Sequence, residues 1–139
     1  MNWQTPHPFI ISKTVEPDAL DFLQHVNNKV YLEWMEQVAW QHSLSVGIDQ
    51  TTQRNLNRIM VIKSHQMQYL AGAYLGDELL IATWLGKQVG CCLRERHTQI
   101  IREKDQKTIF AATSEFVCVD LKRLKPKRIP DEFIAPYIN

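Results

Sequence analysis

Apolar and polar positions along this chain repeat with two different periods, and the places where the period changes mark its elements. Over residues 27–46 the repeat is helical. At about 100° per residue, Val30, Tyr31, Trp34, Met35, Val38, Ala39, His42 and Val46 fall within one half of the wheel. Lys29, Glu33, Glu36 and Ser43 fall on the other half, with Trp40 among them as an exception. Asn27 and Asn28 suit a helix start and Gly47 a stop. So broad an apolar face is predicted to lie across a sheet.

Elsewhere the pattern is that of strands. Residues 9–15 are rich in β-branched and aromatic side chains and are ended by Pro17 and Asp18. Residues 59–70, 78–87, 91–104 and 107–121 also read as strands. Turn chemistry at 86–90 and 104–107 separates the last three, and such short spacing favours antiparallel hairpins. Residues 49–57, rich in Thr, Gln and Asn, read as a loop. The tail from Lys122 is basic, then punctuated by Pro126, Pro130 and Pro136, and reads as a surface segment. The order strand–helix–strand–strand–strand–strand defines an α+β class.

Composition narrows the function. A chain of 139 residues, 45% of them hydrophobic, suits one domain spanning 1–139 whose core needs no metal or disulfide staple. Sixteen Lys and Arg against 15 Asp and Glu leave a net charge of +1, which argues against a general nucleic-acid binder. The longest stretches without Asp, Glu, Lys or Arg, 37–48 and 64–76, fall short of the ~20 apolar residues of a membrane span. The N-terminus lacks the basic start and apolar run of a signal peptide. Cys91, Cys92 and Cys118 match no zinc spacing and read as reduced thiols of a cytoplasmic protein.

The chemistry concentrates between Asp18 and Trp34. Asp21, His25, Asn27 and Asn28 lie within eight residues, just ahead of the amphipathic helix. Free N–H groups of a first helical turn can hydrogen-bond a carbonyl that is gaining negative charge. An aspartate, ionised at neutral pH, can activate water or attack directly. His25 can donate to the same carbonyl or orient the carboxylate. Asp and Asn ahead of a helix also serve simply as caps, and the spacing decides between these readings.

Asp21-x-x-x-His25-Val26-Asn27-Asn28-x-x-Tyr31-Leu32-x-Trp34 resembles the signature of hotdog-fold thioesterases of the 4-hydroxybenzoyl-CoA thioesterase type. Its Leu-Asp-x-x-x-His-Val-Asn-Asn stretch is also similar to that of the plant acyl-ACP thioesterases. Three further stretches follow in the family's order: 68–79 with its Tyr-Leu and Gly-Asp-Glu-Leu, 111–120, and 128–130. The resemblance implies a hotdog fold, a long central helix wrapped by a curved antiparallel sheet of about five strands. It implies hydrolysis of acyl thioesters of CoA or acyl carrier protein, with no cofactor and no metal. It also implies a homodimer or homotetramer with sites at the subunit interface. Carried onto this sequence, the catalytic acid falls on Asp21, with His25 second, and the amides on Asn27 and Asn28. Three positions depart from the pattern, one being Pro17, four residues before Asp21, where some bacterial relatives carry a tyrosine. Gln24 stands where a glycine often precedes the histidine, and Leu23 where the acyl-ACP enzymes carry Asn.

Tyr31, at the motif's helical end, and His65, on a strand, are further candidates for contact with substrate. For His65 a satisfied strand histidine is the competing reading. Arg94 and Arg96 alternate with their neighbours and so share one face of a strand. With Arg102 and Lys87 they are candidates for CoA phosphates, which suit bidentate arginine. His42, on the apolar helix face, reads as a hydrogen-bonded core residue. The expectation is an acyl-CoA thioesterase that depends on Asp21. An acyl-ACP thioesterase and a non-catalytic acyl-binding module on the same fold are the alternatives.

Overall fold

The computed structural model describes residues 2–138. Strand β1 (Phe9–Thr14) is followed by helices α1 (Asn28–Ser45) and α2 (Gln50–Leu56). Four long strands complete the chain: β2 (Arg58–Tyr69), β3 (Glu78–Val89), β4 (Leu93–Arg102) and β5 (Lys107–Asp120). All five strands form one antiparallel sheet in the order β1-β3-β4-β5-β2. The central strand is therefore β4, and β1 and β2 are the edges. Hairpins join β3 to β4 and β4 to β5, as their short connections predict.

Helix α1 starts where the Asn27 side chain accepts the Lys29 N–H at 3.1 Å. Its predicted face is buried through Val30, Tyr31, Trp34, Met35 and Val38. These pack with Leu79 and Ile81 of β3, Ile100 of β4 and Phe110 of β5 in the main core. Tyr31 stacks on Phe110, ring centroids 5.0 Å apart and planes 9° from parallel. Burying each such side chain contributes roughly 1.5–3 kcal/mol, far more than helix propensity supplies. Among the described residues, no helix is long and apolar enough to cross a membrane.

Four expectations need correction. Residues 49–57 hold a short helix, α2, capped by Asp49, whose carboxylate accepts the Thr52 N–H at 2.8 Å. None of its residues is buried, so it leaves no apolar repeat in the sequence. Ser43 is buried despite its place among polar residues, because its hydroxyl donates to the Ile48 carbonyl at 2.6 Å. Gly86 lies within β3, where the pairing with β4 shifts between Leu85 and Gln88. A Cβ there would come within 2.5 Å of His97 Nε2, so any larger residue would have to displace the His97 ring.

The last correction concerns the tail. Asp120 accepts the N–H groups of Lys122 and Arg123 at 2.8 and 2.9 Å and pairs with Lys127 at 3.3 Å, turning the chain back. Ile129 and Phe133 are then buried in a second apolar cluster with Ile48 and Cys118. Replacing Phe133 with alanine is accordingly expected to cost about 3–5 kcal/mol in urea unfolding. A change below about 0.5 kcal/mol, the usual figure for a surface position, would restore the reading of a surface tail.

Candidate functional site

The motif folds into a tight loop ahead of α1. Leu20 and Val26 pair as an antiparallel bridge, closing residues 21–25 between them. The Asp21 N–H donates to the His25 carbonyl at 2.8 Å, and the Gln24 N–H to the Asp21 carbonyl at 3.0 Å. Asp21 Oδ1 accepts the N–H groups of Leu23 at 2.9 Å and His25 at 3.2 Å. Both of these bonds fall on Oδ1, so the loop does not engage Oδ2. Two further bonds seat the loop: Val26 N–H to the Ala73 carbonyl at 3.0 Å, and Asn27 N–H to the Ala19 carbonyl at 2.8 Å. The His25 ring meets Tyr74 edge-on, centroids 5.0 Å apart.

This geometry places Gln24 at φ 65°, in the left-handed region where L-residues other than Asn and Asp are strained. It is the position where the family often has glycine, and here the strain is carried by a glutamine.

A cavity of about 250 Å³ opens beside the loop. It is lined by Asp21, His25, Asn28 and Tyr31, with Tyr69 from the end of β2 and Leu70 just beyond it. Burial, helped by the neighbouring Tyr69, pushes the Tyr31 hydroxyl up to about 12, so it stays protonated. At the helix start, Asn27 takes the Lys29 N–H with its side chain and the Val30 N–H, at 2.9 Å, with its carbonyl. The Asn28 N–H lies outside both bonds. Fewer first-turn donors are free than the motif alone implies.

The structure thus brings together Asp21, His25, Asn28 and Tyr31. Asn27 does not line the cavity and acts as the cap behind it. His65 sits opposite Ser114 in the β2–β5 register, its Nδ1 2.7 Å from the serine hydroxyl, and lines neither cavity. Arg94 and Arg96 line a second cavity of about 380 Å³ against the C-terminal half of α1. The expectation that the two share one face of β4 holds, and that face is turned toward this cavity. Arg96 is buried, because its face of β4 lies under α1 and reaches His42 there. Arg102 is committed to Asp105 at 2.7 Å. Tyr69 and Leu70 were not among the expected site residues, although both lie in the 68–79 stretch that resembles the family. Among the described residues, no group of three His, Cys, Asp or Glu side chains is placed to hold a metal ion.

A sequence profile of the thioesterase-like superfamily matches residues 15–136, including the whole Asp21 loop, and the chain belongs to that family. It is 31% identical over 114 residues to the long-chain acyl-CoA thioesterase FadM of Escherichia coli K12, covering 81% of this chain and 84% of FadM. The probable thioesterase YbaW of Escherichia coli superposes with a TM-score of 0.80 at 26% identity, over 94% of this chain and 99% of that one. Slr0204, a 1,4-dihydroxy-2-naphthoyl-CoA thioesterase from Synechocystis, gives 0.85 at 15% identity over 96% and 97%, a likeness of fold alone. The expected hotdog fold is therefore borne out.

The loop's strain can be measured directly. Gln24→Gly is expected to stabilise the protein by about 0.5–1 kcal/mol, the relief at φ 65° exceeding the added chain entropy. Gln24→Val should destabilise it by at least about 1 kcal/mol, since a β-branched side chain tolerates this region worst. Thermal unfolding of both variants reads the sign.

Proposed function

We propose that this chain hydrolyses acyl-CoA thioesters, with Asp21 as the reacting carboxylate. One observation carries the reading. Asp21 is held by two N–H groups on a single oxygen, Oδ1, and lines a cavity at the start of α1. Oδ2 is then available to take a proton from an attacking water, or to attack the carbonyl carbon itself. Either route breaks the acyl–sulfur bond and releases CoA as a thiolate, which needs no strong acid to leave. Direct attack leaves the acyl group on Asp21 as a mixed anhydride, which water then hydrolyses to the free acid and the regenerated carboxylate. The Asn28 N–H and the protonated Tyr31 hydroxyl are the donors for the developing oxyanion. His25 orients the loop through its backbone and presents its ring to the same cavity. The relationship to FadM supports an acyl-CoA as the thioester. The three free thiols fit a cytoplasmic setting, where they stay reduced.

A second copy of the chain belongs to this reading. Edge strand β2 is twelve residues long and exposes seven of them, with Val61 37% and Ile62 45% exposed. Long apolar edges of this kind pair with another chain. Tyr69, the last residue of the same strand, and Leu70 just beyond it line the Asp21 cavity, so a partner seated on β2 would border the site.

Asp21→Asn is expected to lower CoA release from an acyl-CoA panel by roughly a hundred- to ten-thousand-fold, with the fold intact by circular dichroism. Equal rates for wild type and variant would end the Asp21 reading. In sedimentation, the wild type should run as a dimer or larger. Val61→Lys should shift it toward monomer with reduced turnover, whereas Asp21→Asn should leave the assembly unchanged. A wild type that sediments as an active monomer would overturn the shared site.

A further inference from the structure

The second cavity contains an electrostatic anomaly that hydrolysis at Asp21 does not use. Arg96 projects from the central strand into an otherwise largely apolar space and is only 7% exposed. Its Nη1 donates to His42 Nδ1 at 2.9 Å and to Thr83 Oγ1 at 3.0 Å, both neutral acceptors. Burial and the adjacent guanidinium lower His42 to about 4, so at neutral pH it accepts from Arg96 and does not compete with it as a cation. Tyr137 covers the guanidinium from the C-terminal segment, 5.8 Å from ring centroid to Cζ. Two residues along the same face, Arg94 donates its Nε to the Gly86 carbonyl at 2.9 Å and also lines the cavity.

Among the described residues, neither arginine has a carboxylate partner. The ion pairs among the described residues are Arg102–Asp105, Lys104–Asp77 and Lys127–Asp120. Glu36 and Glu95 border the same cavity, and neither comes within ion-pair distance of Arg94 or Arg96. A buried cation without a counter-charge is costly, by several kcal/mol before compensation. Neutral acceptors offset only part of that. The rest of the wall, including Trp40, Ile62, Phe116 and Phe133, offers apolar contact. A cavity of 380 Å³ lies within the range of small-molecule sites.

We propose that this cavity is a binding site for an apolar molecule bearing a carboxylate, with Arg96 and Arg94 as the anion's partners. Charge-assisted arginine–carboxylate bonds supply the missing counter-charge, and the aromatic wall takes the hydrocarbon. The carboxylate has two sources: a free fatty acid, or an acyl group that carries a second carboxylate at its far end. The site lies away from the reacting carboxylate. Along α1, Trp40 is nine residues beyond Tyr31, about 14 Å at helical rise. It stands whether or not Asp21 hydrolyses thioesters.

Calorimetric titration of the wild-type protein with octanoate and with 1-octanol tests the first source. The acid should bind at least about tenfold more tightly than the alcohol, a difference of about 1.4 kcal/mol. Arg94→Gln should reduce that preference to below about threefold without weakening 1-octanol, and Arg94→Lys should restore part of it. Arg96→Gln should abolish the preference if it folds. Arg94, being only half-buried, keeps the test valid if it does not. Binding of ω-carboxydecanoyl-CoA and decanoyl-CoA to the Asp21→Asn protein tests the second source in the same way, by affinity and not turnover. A preference for the carboxylate in either series, lost with Arg94→Gln, supports the site and identifies its ligand. Equal affinities within both pairs, or a preference unchanged by Arg94→Gln, overturn it.

Discussion

The apolar face of α1 against the sheet is the constraint on which the other features depend. Val30, Tyr31, Trp34, Met35 and Val38 can be buried only if the helix lies across β3, β4 and β5, and that placement brings its first turn to the Asp21 loop. Tyr31 belongs to both. Its ring stacks on Phe110 in the core, and the same residue lines the cavity beside Asp21. The geometry of the candidate site is thus a by-product of core packing. The loop itself adds little burial. It is fixed by backbone hydrogen bonds to Ala73, Ala19 and its own carboxylate.

What the sequence discloses follows from how each element is stabilised. Helix α1 and the four long strands stand on apolar periodicity, so their positions are legible to within a few residues. The short helix α2 stands on an Asp49 cap and buries nothing, so no period announces it. Residues 129–133 are legible only once the Asp120 turn is seen to bring Ile129 and Phe133 back to Ile48. The Asp21 loop is legible as a motif because its spacing is local. Alternation places Arg94 and Arg96 on one face but cannot say which face. That depends on pairings with strands far away in the chain, and the face proves to be the one under α1.

The near-neutral balance of charge also takes on a different sense. A net charge of +1 conceals a separation, with Lys104 and Lys127 paired near the surface and Arg96 buried without an ion-pair partner among the described residues. Removing Arg96 from water is a local cost, borne on the central strand β4. Thr83 and His42 hold the guanidinium in place, and Thr83 is itself tied to the His97 carbonyl at 2.8 Å. Interior charge of this kind fixes orientation as well as affinity, because a guanidinium presents its donors in a plane.

The walls of the larger cavity have unequal histories open to them. One wall belongs to β4 and α1, where a substitution disturbs strands on both sides. The other, Ile129, Phe133 and Tyr137, hangs on a segment that follows the sheet and is tied back through Asp120. Insertion, exchange or remodelling of that segment could reshape the cavity while sparing the loop that holds Asp21. Descendants of such a scaffold can therefore vary the shape of this cavity while the Asp21 loop stays as it is.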